Sequence, residues 1–200
     1  MSKNTRILKV KGDWIDVLND CRVTVRKGMK DEEPALEFKR KLLISEHSPI
    51  RSISYRWIFE DIPYFVSTHW SRHKWECFIT TERSDRTGVD RKRLPQDALV
   101  NLTGDANAQQ LIDTMRKRLC KGCVDPDTYQ TAINLKEAIH EVDEPTSDVL
   151  VPNCIYRCGC PELTPCKFFE YFKGECLAHG IHSDNIQERY NLYNQLFWRR

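Results

Sequence analysis

The sequence carries no surplus of charge of either sign: 31 Lys and Arg stand against 29 Asp and Glu, a formal net charge of +2 over 200 residues. That near-balance excludes the strong field with which a protein grips a nucleic-acid polymer regardless of sequence, so any anion binding must be local. No run approaches the ~18 apolar residues of a membrane span. The opening stretch MSKNTRILKVKGDW has neither an apolar h-region nor a small-residue cleavage site, and a cytoplasmic protein is expected. Internal repeats and low-complexity segments are also missing. What is present is an apolar fraction of 40% with 5 Trp, 8 Phe and 7 Tyr, sufficient for a folded chain about one domain long.

Nine cysteines make an odd number, and in a reducing compartment they read as thiols or metal ligands rather than a disulfide framework. Cys120 and Cys123 lie in CKGC, and Cys154, Cys158, Cys160 and Cys166 in CIYRCGCPELTPC. A Cys-x2-Cys pair with two later cysteines can supply zinc with its tetrahedron. Neither set has a standard finger spacing, however, and free cysteine packs well as a small apolar residue. Ordinary thiols are the expectation here, with a structural zinc as the alternative.

Local patterns suggest an α/β (α+β) chain. RILKVKG reads as a strand and residues 31–47 as a helix, with Pro34 near its first turn. Tyr55, Trp57 and Phe59 alternate with polar residues in a second strand, and Pro63 opens a helix running into Arg72. Residues 96–104 form another strand. A helix is expected from Asp105 to about Leu119, which would put Asp105, Ile112 and Arg116 on one face. Asp125 and Pro126 mark the cap and first residue of a further helix. Residues 143–148 read as a linker, and Ser183 as the cap of a C-terminal helix. The FFEYF run at 168–172 suggests core or an oligomer interface, and His140, His179 and His182 solvated side chains.

The stretch from 67 to 91 interleaves Arg72, His73, Lys74, Arg83, Arg86 and Arg91 with Glu76, Glu82, Asp85 and Asp90. Guanidinium groups oriented by carboxylates suit a multiply charged ligand, because the planar fork of Arg binds phosphate at two points. A salt-bridged surface loop would have the same composition.

The order of the motifs adds a resemblance. Arg72-His73-Lys74 followed by Glu82-Arg83-Ser84-Asp85-Arg86 is similar to the RHRxxSxNExSxR signature of the flavin-dependent thymidylate synthase (ThyX) family. Upstream, His47-Ser48-Pro49, the strand at 53–59, Pro63 and THWSRHK follow the family order. Downstream come Arg91-Lys92-Arg93-Leu94-Pro95, then Thr103-Gly104-Asp105, then Arg116 eleven residues on. Lys74 stands where the family has Arg, His69 where it has Gln, and Asp105 where it has Asn. Residues 87–90 are far shorter than the usual insertion there, a compactness that looks phage-like, which would make the compartment the host cytoplasm.

The resemblance implies a ThyX-like fold, a mixed sheet flanked by helices, for a catalytic core over 1–148; the chain's own composition adds a Cys-rich, helical extension over 149–200, expected to pack on that core. It implies FAD, with NADPH and methylene-tetrahydrofolate as co-substrates and transfer of a one-carbon unit to C5 of dUMP. It implies a homotetramer with shared sites, and neither a membrane nor a nucleic-acid polymer as partner. His47, Ser48, Arg72, His73, Lys74, Glu82, Asp105 and Asn107 match positions that contact the flavin. His69, Arg72, Glu82, Arg83, Ser84, Asp85, Arg86, Arg91 and Arg116 match the nucleotide pocket. Arg116 would stabilise the charge developing on the uracil, with Ser84 as an orienting group, since a hydroxyl with no adjacent base is a poor nucleophile.

Overall fold

Apolar residues spaced by two in the sequence emerge on one face of a sheet, and the long aromatic strand forms its centre. In the computed structural model, which describes residues 4–81 and 83–198, the elements run in the order β1 (Thr5–Lys11), α1 (Trp14–Thr24), α2 (Leu36–Ser45), a 3₁₀ turn (Ser48–Ser52), β2 (Ser54–Pro63), α3 (Tyr64–Trp70), β3 (Glu76–Ile79), α4 (Ser84–Thr87), a second 3₁₀ turn (Arg91–Arg93), β4 (Leu99–Asn107), α5 (Ala108–Arg118), α6 (Pro126–Val142), α7 (Glu144–Asp148), α8 (Asn153–Arg157), α9 (Phe168–Ala178) and α10 (Ile186–Phe197). The four strands form one sheet in the order β1-β2-β4-β3. Every pairing is antiparallel, where strands of both directions were expected.

On the buried face Tyr55, Trp57 and Phe59 of β2 stand opposite Ala106, Gly104 and Leu102 of β4. A bulge between Phe59 and Ile62, with Asp61 at φ 52°, shifts the alternation by one residue, so that Ile62 re-enters the same core beside Val100. The Asn101 side chain accepts the Asp61 backbone N–H at 2.9 Å and holds the bulge.

Gly104 is required for contact rather than for its φ. A Cβ there would come within 2.0 Å of the Trp75 ring and 2.4 Å of the Trp57 ring. These two indoles lie with centroids 4.6 Å apart, and Trp70 meets Trp75 edge-on at 6.2 Å. The stack fastens the segment just after Arg72-His73-Lys74 to the sheet. Gly104→Ala should destabilise the fold by roughly 1–3 kcal/mol through overpacking, seen as a lower urea midpoint at unchanged slope together with altered tryptophan fluorescence.

Three local expectations change. Asp105 lies on β4, not on the following helix, because the strand runs on to Asn107 and it is Asn107 that caps α5; Asp105 and Arg116 therefore do not share a helical face. Residues 143–148 are not a linker: α7 is buried, and Asp143 accepts from Trp14 Nε1 at 3.1 Å, from Thr146 Oγ1 at 2.8 Å and from the Tyr55 hydroxyl. Asn185, not Ser183, caps α10. His140 also departs from expectation, since it is half-buried against Ser147 (3.0 Å) and the Trp198 ring, whereas His179 and His182 are exposed. α1, which begins with an Asp13–Asp16 capping box, and the four-residue β3 carry no strong sequence signal. A single core cluster includes Trp57 and Leu111 with Ile155, Phe172 and Tyr193 from the last third of the chain. Phe169 and Phe172 of the FFEYF run are in that core, while Tyr171 is exposed.

Candidate active site

The Arg72-His73-Lys74 turn is clamped to α5 from both ends. At the N-terminus of α5, Asn107 and Gln110 form a reciprocal capping box, with side-chain to backbone distances of 3.0 and 2.9 Å. The remaining Gln110 Nε2 donates to the Lys74 carbonyl at 2.5 Å. At the far end of α5, Arg118 Nε donates to His73 Nε2 at 2.9 Å and its Nη2 to the His69 carbonyl at 2.6 Å. The bond from Arg118 requires His73 Nε2 to be an acceptor, which fixes a neutral imidazole protonated on Nδ1.

Between turn and helix lies a cleft of about 640 Å³, lined by Arg51, Arg72, His73, Lys74, Asn107 and Gln110 together with Gln109, Asp113 and Thr114. Three permanent cations face one carboxylate, so the cleft is matched to an anion. Its walls are otherwise amide, hydroxyl and imidazole, with no aromatic ring other than His73.

Burial and the Arg118 guanidinium push the His73 pKa down to about 4. The folded state therefore binds fewer protons than the unfolded chain. This contribution to stability is fully present above the unfolded value of about 6.5, declines as the pH falls from there towards 4, and changes no further below it. Urea midpoints measured across this window should fall less steeply for His73→Gln than for the parent.

Arg72, His73, Lys74 and Asn107 thus meet in one cleft. Other expected site residues do not join them within the chain. Ser48 and His47 are exposed at the start of the 3₁₀ turn that places Arg51 in the cleft. His69 turns away to Asp125 (3.1 Å) and Thr128 (2.9 Å) at the start of α6. Asp105 pairs with Lys11 at 2.5 Å. Arg83, Ser84, Asp85, Arg86 and Arg91 are exposed, with Arg83 held in two-point contact by Asp85 (2.7 and 3.0 Å). Glu82 lies outside the described residues.

Arg116 is almost enclosed, its side chain 12% exposed. One amino group pairs with Glu46, the other with Asp113 at 3.1 Å, and the guanidinium carbon sits 3.5 Å above the Tyr156 ring. Its Nε is buried without a partner among the described residues. Glu46 is aimed by its own left-handed backbone (φ 51°) at the end of α2, and it also accepts from Gln109 at 2.7 Å. Sequence reasoning missed Arg51, Gln109, Gln110 and Arg118. The Asn107-x-x-Gln110 spacing of a capping box could have pointed to Gln110, whereas nothing local marks the other three.

The sequence matches no protein-family model and no curated protein. Solved structures do match. A UMP/dUMP methylase, PolB, from Streptomyces cacaoi bound with 5-Br dUMP has a TM-score of 0.58 and 14% identity, over 72% of this chain and 93% of that one. Its form with 5-Br UMP gives 0.57 and 14%, over 72% and 92%. Flavin dependent thymidylate synthase ThyX from Helicobacter pylori, complexed with FAD and dUMP, gives 0.59 and 11%, over 74% and 99%. The chain has the fold of the flavin-dependent thymidylate synthases. It shares that fold with a methylase of uridine nucleotides, at an identity that speaks for the fold alone.

Proposed function

We propose that the protein binds a pyrimidine 5′-nucleotide, dUMP in the first instance, and modifies C5 of its ring by flavin-dependent one-carbon transfer from methylene-tetrahydrofolate, with NADPH as reductant. The observation that carries this reading is the meeting of Arg51, Arg72 and Lys74 with the capped N-terminus of α5 in a single cleft. It is supported by a fold whose solved examples hold dUMP, a 5-bromo analogue or FAD.

The cations fit the phosphates of a nucleotide or of FAD, and the positive end of the α5 dipole adds to that preference. Reduced flavin, when bound, supplies the hydride and mediates the carbon transfer. The roles of this chain's own residues are to bind, orient and stabilise charge. Arg51, Arg72 and Lys74 hold phosphate; neutral His73 offers its imidazole face without adding charge; Asn107 and Gln110 keep the Lys74 backbone in register. Arg116 would meet the uracil edge only once the Glu46 pair opens.

The polar lining lacks an apolar surface for the flavin ring, and Ser84, Arg86 and Arg91 face solvent outside the cleft. Both features suit a site completed by a second copy of the chain, as in a homotetramer in a cytoplasmic setting. The same polar lining favours one rival reading, a nucleotide-binding protein without flavin.

Protein purified with FAD and given dUMP tritiated at C5, methylene-tetrahydrofolate and NADPH should be yellow and release tritium in an FAD-dependent manner. A colourless protein that takes up no FAD, yet binds dUMP, would replace this reading with the rival.

A further inference from the structure

Five of the six cysteines in the two sequence clusters come together at the end of α5. The sixth, Cys158, is turned away and donates its thiol to the Ser183 carbonyl at 3.1 Å. After α5 the chain makes a tight turn, in which the Cys123 N–H bonds the Cys120 carbonyl at 3.0 Å. The Sγ atoms of Cys120 and Cys123 and a carboxylate oxygen of Glu162 all lie within 4.8 Å of one another. Cys166 is pressed against the same turn: a Cβ on Gly122 would stand 2.6 Å from its Sγ, so only glycine permits this approach. Cys154 and Cys160 line, together with Cys120 and Cys166, a cavity of about 510 Å³. All of these thiols are free.

We propose that Cys120, Cys123, Cys166 and Glu162 form a structural zinc site. Zinc binds thiolate at about 2.3 Å, so tetrahedral ligand atoms stand roughly 3.8 Å apart. The grouping of Cys120, Cys123 and Glu162 within 4.8 Å is a short contraction from that spacing, and Cys166, which lies outside that grouping, closes in from its place against Gly122 as the fourth ligand. The cysteine sulfurs of an iron–sulfur cluster stand farther apart, since the cluster's own atoms lie between them. Binding forms three Zn–S bonds as three S–H protons leave to solvent, with no change of oxidation state.

Lys117 supplies an outer partner. Its Nζ donates to the two Glu162 oxygens at 2.8 and 3.0 Å, so one oxygen can ligate while the other remains bound to the ammonium. The cation also offsets the negative charge that three thiolates and a carboxylate leave around a divalent ion. Gly122 and the Cys-x2-Cys turn supply two ligands from one segment, and the loop between α8 and α9 supplies the others. The ion would thereby join the end of the helix carrying Arg116 and Arg118 to the last third of the chain, independently of what the cleft binds.

Metal analysis of the full chain, purified under reducing conditions without chelator, should find one zinc per chain. Zinc should be lost in Cys123→Ser and Cys166→Ser and retained in Cys21→Ser, on α1. Cobalt titrated into the metal-free parent should give an intense thiolate-to-cobalt charge-transfer band in the near ultraviolet, a readout that does not depend on the serine variants folding. Absence of that band, zinc content unchanged in folded Cys123→Ser and Cys166→Ser, iron with sulfide in place of zinc, or a Cys120–Cys123 disulfide in the reduced preparation would each overturn the assignment.

Discussion

Arg72→Ala should lower kcat/KM for the nucleotide by roughly 30- to 1,000-fold, about 2–4 kcal/mol, the range for removing one partner of a charge-assisted contact in a binding site. Its side chain is exposed at the mouth of the cleft and takes no part in the core, so stability should stay within about 0.5 kcal/mol of the parent. A large kinetic loss at constant urea midpoint separates a ligand contact from a structural one. Arg72→Lys should recover only part of the loss, because an ammonium is a point charge where the guanidinium is a two-point fork. Equal turnover in all three proteins would remove Arg72 from the site.

Arg189→Ala should cost stability on the order of 3–5 kcal/mol, the effect expected when buried polar groups lose their shared partner. Arg189 is 2% exposed, and its guanidinium donates to three backbone carbonyls: Ile155 at 2.5 Å, Tyr156 at 3.1 Å, and Ser183. Two of these belong to α8, a five-residue helix whose last carbonyls have no helical partner. Arg189 therefore caps α8 and ties it to α10. Since α8 carries Tyr156, the ring beneath Arg116, the loss should reach the Glu46–Arg116 pair as well. Arg189→Lys keeps a donor without the fork and should fall between parent and alanine. Chemical denaturation of the three proteins orders them; an alanine variant as stable as the parent would contradict this capping role.

How much of this was legible in the sequence depends on the range of the interactions. Where a strand or helix is set by its own neighbours, the pattern was enough: the Tyr55-Trp57-Phe59 alternation marked the central strand, Pro63 the start of α3, and Asp125-Pro126 the start of α6. The resemblance named Arg72, His73, Lys74 and Asn107 together among the flavin-contacting positions, and the four line one cleft. Errors arose where distant partners decide. α7 looks like a linker until Trp14 and Tyr55, more than eighty residues away, satisfy Asp143. The bond of His69 to Asp125 and the pairing of Arg116 with Glu46 are likewise contacts between distant segments that no local pattern announces. The strand–helix boundary at 105–107 was missed for a subtler reason: both Asp and Asn can cap a helix, and only the pairing of Ser54 with Asn107 shows that the strand continues that far. The cysteines had no standard spacing because their grouping comes from the approach of the 158–166 loop to the end of α5.

On the proposed function, the cleft between the 72–74 turn and α5 receives a pyrimidine nucleotide. Equilibrium titration of dUMP into the full chain, with FAD present and absent, tests it most directly. Binding should be saturable, weaken with rising salt and fall at least tenfold in Arg72→Ala, but not in Arg6→Ala, a surface arginine paired with Glu60. Titrations with no saturation under either condition, or with the same affinity in both variants, would contradict it.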